Sequence, residues 1–153
     1  MSELDELYQS VILDHDRRPR NFREMEGEGC QRAEGHNPLC GDRFTVMVKV
    51  EDGVITDASF TGAGCAISKA SASMMTDTLK GKTVAEANRL FERFHGQLTG
   101  VAPEDGPDLP NKLRVFQGVT AFPMRVKCAT LAWHAMKQAL ESEREKSEVR
   151  SQK

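Results

Sequence analysis

The sequence has no long hydrophobic run: its apolar stretches last only a few residues, against the ~20 that a helix needs to cross a bilayer. A membrane-spanning helix is therefore excluded. The opening Met1-Ser2-Glu3-Leu4-Asp5-Glu6 lacks the basic stretch followed by an apolar one that marks a secretory signal, so the expected location is the cytoplasm. Nor is there an excess of positive charge. The 21 Lys and Arg stand against 23 Asp and Glu, a formal net charge of −2, without the clustered basic surface that marks a nucleic-acid binder. No internal repeat is present. Cysteine is sparse, with only Cys30, Cys40, Cys65 and Cys128, and no two of these form the local C-x-x-C pair of a zinc finger. In a chain expected to stay in a reducing compartment, such dispersed cysteines serve metal or catalysis more often than disulfides.

What is there suits one globular domain spanning 1–153. The 153 residues, 39% hydrophobic and 29% charged, are enough to bury a core without staples. Leu4, Leu7, Tyr8, Val11, Ile12 and His15 recur at helical spacing and predict an amphipathic helix that ends before Pro19. Phe44, Val46, Val48 and Val50 alternate along a strand, Asp52-Gly53 offers a hairpin turn, and Val54 to Phe60 reads as the return strand. The polar, glycine-rich stretch from Glu26 to His36 fits a short edge strand around Cys30 or a loop.

After Gly62-Ala63-Gly64-Cys65 a helix is expected, with Ile67, Ala70, Met74 and Leu79 on one face and Gly81 as its stop. Thr83 to Glu86 matches a capping box and opens a further helix that Gly96 ends. The glycines and prolines from Gly96 to Pro110 mark a loop or insertion, and a last amphipathic helix starts near Arg125, fading into a charged tail over 141–153 that reads as solvated or frayed. This order predicts an α+β fold: a small antiparallel sheet of about three strands with helices packed on it.

The chemistry lies in three cysteines and one aspartate. Cys40-Gly41-Asp42 puts a thiol and a carboxylate two residues apart, just before a strand. Cys65 falls at a helix N-terminus, beside unpaired backbone N–H groups that suit a negative sulfur. Cys128 follows Arg125 and Lys127, two cations acting in the same sense. Three thiolates and a carboxylate make up the four-ligand tetrahedral shell that Zn²⁺ prefers. Two readings stand at this point: a shared metal site, or small cysteines buried separately in the core with Asp42 stiffening its turn.

Three segments carry a resemblance that bears on this choice. Asn37-Pro38-Leu39-Cys40-Gly41-Asp42, Gly62-Ala63-Gly64-Cys65-Ala66-Ile67-Ser68 and Arg125-Val126-Lys127-Cys128-Ala129 together resemble the three cysteine motifs of the SufU/IscU family of iron–sulfur cluster assembly proteins. Asp14-His15 and Pro19-Arg20-Asn21 resemble the end of the family's first helix, and the similarity runs from about Leu4 to about Leu140. Scaffold-type members carry a histidine directly before the third cysteine. Lys127 stands there in this chain, and the segment from about 96 to 116 resembles the insertion of the SufU branch.

That resemblance implies a zinc-dependent sulfurtransferase with Cys40, Asp42, Cys65 and Cys128 on Zn²⁺. Cys40 is implied to take persulfide sulfur from a SufS-type, pyridoxal-phosphate cysteine desulfurase, whose histidine displaces it from the metal. A downstream Suf cluster-assembly scaffold is the implied recipient. The alternative is a scaffold on which a [2Fe–2S] cluster is built, since the same donors ligate iron; a third reading is a purely structural, closed zinc site. Cys30 matches no motif and reads as an edge-strand or loop thiol without function. His15, His36, His95 and His134 fit structural positions rather than ligands, and Met74 and Met75 read as core filling.

Overall fold

Asp52 and Gly53 have φ of 52° and 78°, the paired left-handed conformations of a two-residue hairpin turn whose twist matches that of the flanking strands. The computed structural model describes residues 3–25, 27, 29–38, 41–99, 113, 116 and 122–151, with side chains from 9 to 141 within that set. On either side of the turn run β2 (Asp42–Glu51) and β3 (Val54–Ala63), and β1 (Cys30–Asn37) pairs with β2 to complete an antiparallel sheet in the order β1-β2-β3. The helices are α1 (Glu3–Arg17), α2 (Ala66–Leu79), α3 (Val84–Thr99) and α4 (Pro123–Ser151). The fold is α+β with a three-stranded antiparallel sheet, as the sequence predicts.

The alternating apolar residues of β2 explain which face is covered. Phe44, Val46 and Val48 are wholly buried and Val50 nearly so, in one core with Met74, Met75 and Leu79 of α2, Phe94 of α3, and Trp133 and Met136 of α4. The Phe94 and Trp133 rings stack with centroids 4.6 Å apart. On the opposite face of β2, Met47 is also buried, and its Sδ accepts the backbone N–H of Met25.

The segment around Cys30, open between strand and loop in the sequence, is a strand of eight residues. Its outward positions are polar, and pairing with β2 from Cys30↔Lys49 to Asn37↔Asp42 satisfies its backbone. Gly35 lets α4 approach: a Cβ there would stand 3.2 Å from the Leu131 side chain.

Helix α2 ends where expected, with Gly81 at φ +85° just beyond it. The capping box forms in both directions. The Thr83 N–H donates to Glu86 Oε1 and the Glu86 N–H to Thr83 Oγ1, each at 3.1 Å. One expected boundary is wrong: α3 runs through Gly96 to Thr99. Gly96 and Leu98 are buried, and burial of Leu98 offsets the roughly 1 kcal/mol that a glycine costs inside a helix. The expected insertion at 96–116 thus shares residues 96–99 with α3, and its residues 100–112 lie outside the described residues. Leu113 and Phe116, within the same stretch, are core residues, Phe116 meeting Phe94 edge-on at 5.7 Å.

Where a frayed tail is expected from 141, the backbone of α4 stays helical to Ser151. Glu, Lys and Arg dominate that stretch and are good helix formers that need no tertiary contact to favour the helix.

The motif at the end of α1 has a structural role. His15 Nδ1 and Ser73 Oγ are 2.7 Å apart, and the same hydroxyl accepts the Arg20 N–H at 2.8 Å. Asn21, with φ of 62°, bonds Thr76 and Lys80 and lays residues 21–23 beside β3 through Phe60.

Candidate metal centre

Three chain segments that are distant in sequence converge at one end of the sheet. Asp42 is the first residue of β2 and is fully buried. Cys65 is the N-cap of α2, extended at φ −70° and ψ 166°, with its sulfur accepting the Ser68 N–H at 3.4 Å. Cys128, buried to 4% exposure, lies in the second turn of α4. One ligand atom from each of the three lies within 4.8 Å of the others. Cys40, the remaining predicted ligand, is outside the described residues.

Two glycines make this convergence possible. Gly62 has φ +133°, and a Cβ there would lie 2.2 Å from the Arg43 carbonyl oxygen, so only glycine lets β3 pair this closely with β2 there. At Gly64 a Cβ would stand 2.7 Å from Asp42 Oδ1 and 2.7 Å from the Phe44 ring. The Gly-x-Gly-Cys sequence is thus what brings the Asp42 carboxylate against the start of α2.

That carboxylate is held on both oxygens. The Cys65 N–H donates to Oδ1 at 2.9 Å and the Ser68 hydroxyl to Oδ2 at 2.6 Å. Asp42 Oδ2 and Cys65 Sγ are 3.8 Å apart. A sulfur and an oxygen on one tetrahedral zinc stand about 3.5–3.7 Å apart, given the usual Zn–S and Zn–O lengths, so this pair is within a few tenths of an ångström of such a shell. Two soft sulfurs and a hard oxygen are a donor set that fits Zn²⁺. The Asp42 carboxylate is hydrogen-bonded to the start of α2 rather than to its own turn.

The α4 side is fixed by Ser71, which sequence reading passed over. Its hydroxyl donates to the Ala129 carbonyl at 2.5 Å and accepts the Trp133 indole N–H at 3.1 Å, tying α2 to α4 one residue after Cys128. Ser68 was also missed. The available signal was a serine three residues after an N-cap, aligned with the capping position.

Around the cluster the surface is mixed. Cys65 is exposed, as are Phe22, Phe122 and Met124. Lys69 lies over the Phe22 ring at 5.4 Å and Arg125 over Phe122 at 5.1 Å. Lys127 is exposed and borders a cleft of about 220 Å³ with His36, Asn37, Thr130, Leu131 and His134.

Cys30 stands apart. Its thiol donates to the Met25 carbonyl at 3.3 Å, and burial pushes its pKa up despite Arg32 and Lys49 nearby, so it is a poor nucleophile. His15 is spent on Ser73, and His95 and His134 pack with Phe91 on α3 and α4.

The fold and site define a small α+β domain that gathers one carboxylate and two cysteine sulfurs at one end of a three-stranded antiparallel sheet. The family described as NifU-like N terminal domain matches residues 7–149. The chain belongs to this family, whose members similar to it include the SufU and IscU proteins of iron–sulfur cluster assembly.

It is 39% identical over 142 residues to the zinc-dependent sulfurtransferase SufU of Bacillus subtilis (strain 168), covering 93% of this chain and 95% of that one. It is also 39% identical over 140 residues to the iron–sulfur cluster assembly scaffold protein IscU of Streptococcus pyogenes serotype M1, covering 92% and 86%. Among solved structures, a candidate cluster assembly scaffold for the SUF system from Fervidobacterium islandicum AW-1 superposes with a TM-score of 0.79 at 31% identity, over 88% of this chain and 97% of that one. Among the described residues, no helix is long and apolar enough to cross a membrane.

Proposed function

We propose that the protein is a zinc-dependent sulfurtransferase that accepts persulfide sulfur from a cysteine desulfurase for iron–sulfur cluster biogenesis, with Cys40, Asp42, Cys65 and Cys128 holding Zn²⁺. The observation that carries this reading is the clustering of Asp42, Cys65 and Cys128 donor atoms within 4.8 Å, with Lys127 rather than a histidine beside the third cysteine. A lysine is protonated near neutral pH and donates no lone pair, which leaves the carboxylate as the natural partner of the sulfurs. The SufU and IscU relatives are each 39% identical to the chain, and Lys127 beside the third cysteine supports the sulfurtransferase reading.

Cys40 enters this reading through the family resemblance of the Cys40-Gly41-Asp42 motif, in which it stands two residues before Asp42. Gly41 between them adopts φ +73°, a conformation that turns the chain sharply. When bound, zinc keeps the cysteine sulfurs deprotonated. The Cys40 thiolate then attacks the outer sulfur of the desulfurase persulfide: a new S–S bond forms at Cys40, the desulfurase S–S bond breaks, and its thiolate leaves. The exchange is electron-neutral and needs no oxidant. Cys65 caps a helix and Cys128 is buried within one, so Cys40 is the sulfur best placed to leave the metal.

The test incubates the desulfurase with cysteine and the parent or the Cys40→Ala variant, alkylates the persulfides, and maps the added mass by peptide. Added sulfur on Cys40 and loss of desulfurase stimulation in Cys40→Ala are expected. Full stimulation by Cys40→Ala sinks the assignment. Metal analysis of protein purified without oxygen decides against the scaffold: tightly held zinc without iron–sulfur absorption is expected, and a visible cluster favours a scaffold.

A further inference from the structure

Ser68 holds both neighbouring ligand candidates at once. Its backbone N–H points at Cys65 Sγ at 3.4 Å, while its hydroxyl donates to Asp42 Oδ2 at 2.6 Å and lies 3.4 Å from the same sulfur. Ser68 and Asp42 are both fully buried, so bulk water does not stand in for the hydroxyl. A hydroxyl has one proton to give. The distances assign it to the carboxylate, in a short charge-assisted bond, and leave the backbone N–H to the sulfur. With Oδ1 pinned by the Cys65 N–H, the carboxylate plane is fixed from two sides by the first turn of α2.

We propose that Ser68 is a positioning residue of the metal centre: its hydroxyl fixes the Asp42 carboxylate in the orientation that puts an oxygen 3.8 Å from Cys65 Sγ, and so governs how firmly the metal is held. The proposal rests on the zinc reading above. Without the hydroxyl the carboxylate keeps the Cys65 N–H on Oδ1 but loses its short bond on Oδ2 and is free to rotate about its Cβ–Cγ bond. A metal ligand that loses such an outer hydrogen bond typically costs about 10–100-fold in metal affinity.

The experiment loads the parent, Ser68→Ala, Ser68→Thr, Asp42→Ala and the Ser68→Ala/Asp42→Ala double variant with zinc and measures release to a chromophoric chelator. Ser68→Ala is expected to bind zinc about 10–100-fold more weakly than the parent. Ser68→Thr, which keeps the Oγ donor, is expected to recover most of that loss. In the Asp42→Ala background the serine change adds less than about twofold, because it acts through that carboxylate. With Co²⁺ in place of zinc, the ligand-field bands of Ser68→Ala shift while the sulfur-to-cobalt charge-transfer intensity stays, since no thiolate is removed.

A merely structural serine lowers the melting temperature of the metal-stripped protein but leaves zinc competition and the cobalt bands at parent values; that result overturns the proposal. Should Ser68→Ala not fold, Ser68→Val carries the comparison against Ser68→Thr, whose branched shape it shares while lacking the donor. If the parent holds no zinc, or Asp42→Ala holds it as tightly as the parent, the zinc reading itself fails. If Asp42→Ala releases zinc faster and Ser68→Ala does not, only the role of Ser68 fails.

Discussion

At Gly64 a single methyl group would stand 2.7 Å from the Asp42 carboxylate; the motif is as much about room as about sulfur. Cys65 and Cys128 were legible because each has a local signal: a helix start after a glycine-flanked turn, and a pair of cations. Their meeting was not, since nothing in the spacing of residues 42, 65 and 128 states that a strand and two helices end at one place. The serines that orient the site were illegible for a related reason. A serine inside a helix reads as neutral until its partner is seen. At this scale, Cys65→Ser and Cys128→Ser are each expected to lower zinc stoichiometry and, by linkage, the melting temperature. A metal binding only the folded state contributes about 2.7 kcal/mol when free metal is ~100 times Kd. Zinc analysis with calorimetry checks this, and unchanged stoichiometry in either variant removes that residue from the ligand set.

Among the elements, the strongest sequence signals held. The Asp-Gly turn, the capping box and the stop at Gly81 are short-range features whose partners lie within a few residues, so the sequence displays them. Helix α2 is different. Only one apolar face was expected, yet Ser68, Ser71, Ser73, Thr76 and Thr78 are buried along with Met74 and Met75. Each of these hydroxyls has a hydrogen-bond partner on a neighbouring element or on the helix itself. A helix buried over most of its surface shows no clear apolar stripe. Likewise β1 has little apolar content because its pairing with β2 and a glycine under Leu131 hold it in place. Thr83→Ala removes one arm of an exposed capping box. It is expected to cost about 1 kcal/mol, or about 2–4 °C in melting temperature for a domain of this size, with no effect on zinc content; thermal melts and metal analysis of the same sample separate the two.

For the whole molecule, acid sensitivity has an identifiable source in the contact between α3 and α4. Burial pushes the His134 imidazole below its ordinary value of 6.5, and the charges of His95 and Lys137 push it the same way. A histidine whose pKa is lower folded than unfolded contributes stability that is full above about 6.5 and is lost as pH falls through the lowered value. In metal-stripped protein, the fall in melting temperature from about pH 7 to about pH 5 is therefore expected to be smaller in His134→Gln than in the parent. The difference is modest, since the ring is partly exposed and solvent screens it. Equal falls in both proteins rule out this contribution.

The dispersion of the ligands along the chain has a consequence of its own. Asp42, Cys65 and Cys128 come from the start of β2, the N-cap of α2 and the second turn of α4, so an ion held by all three closes long chain loops much as a crosslink does. Loop closure of that kind restricts the unfolded chain rather than adding contacts to the folded one. In the proposed function, sulfur transfer at Cys40 frees one donor while Asp42, Cys65 and Cys128 keep those loops closed. Complete removal of the ion, by contrast, returns to the unfolded chain all the freedom that those loops had withheld.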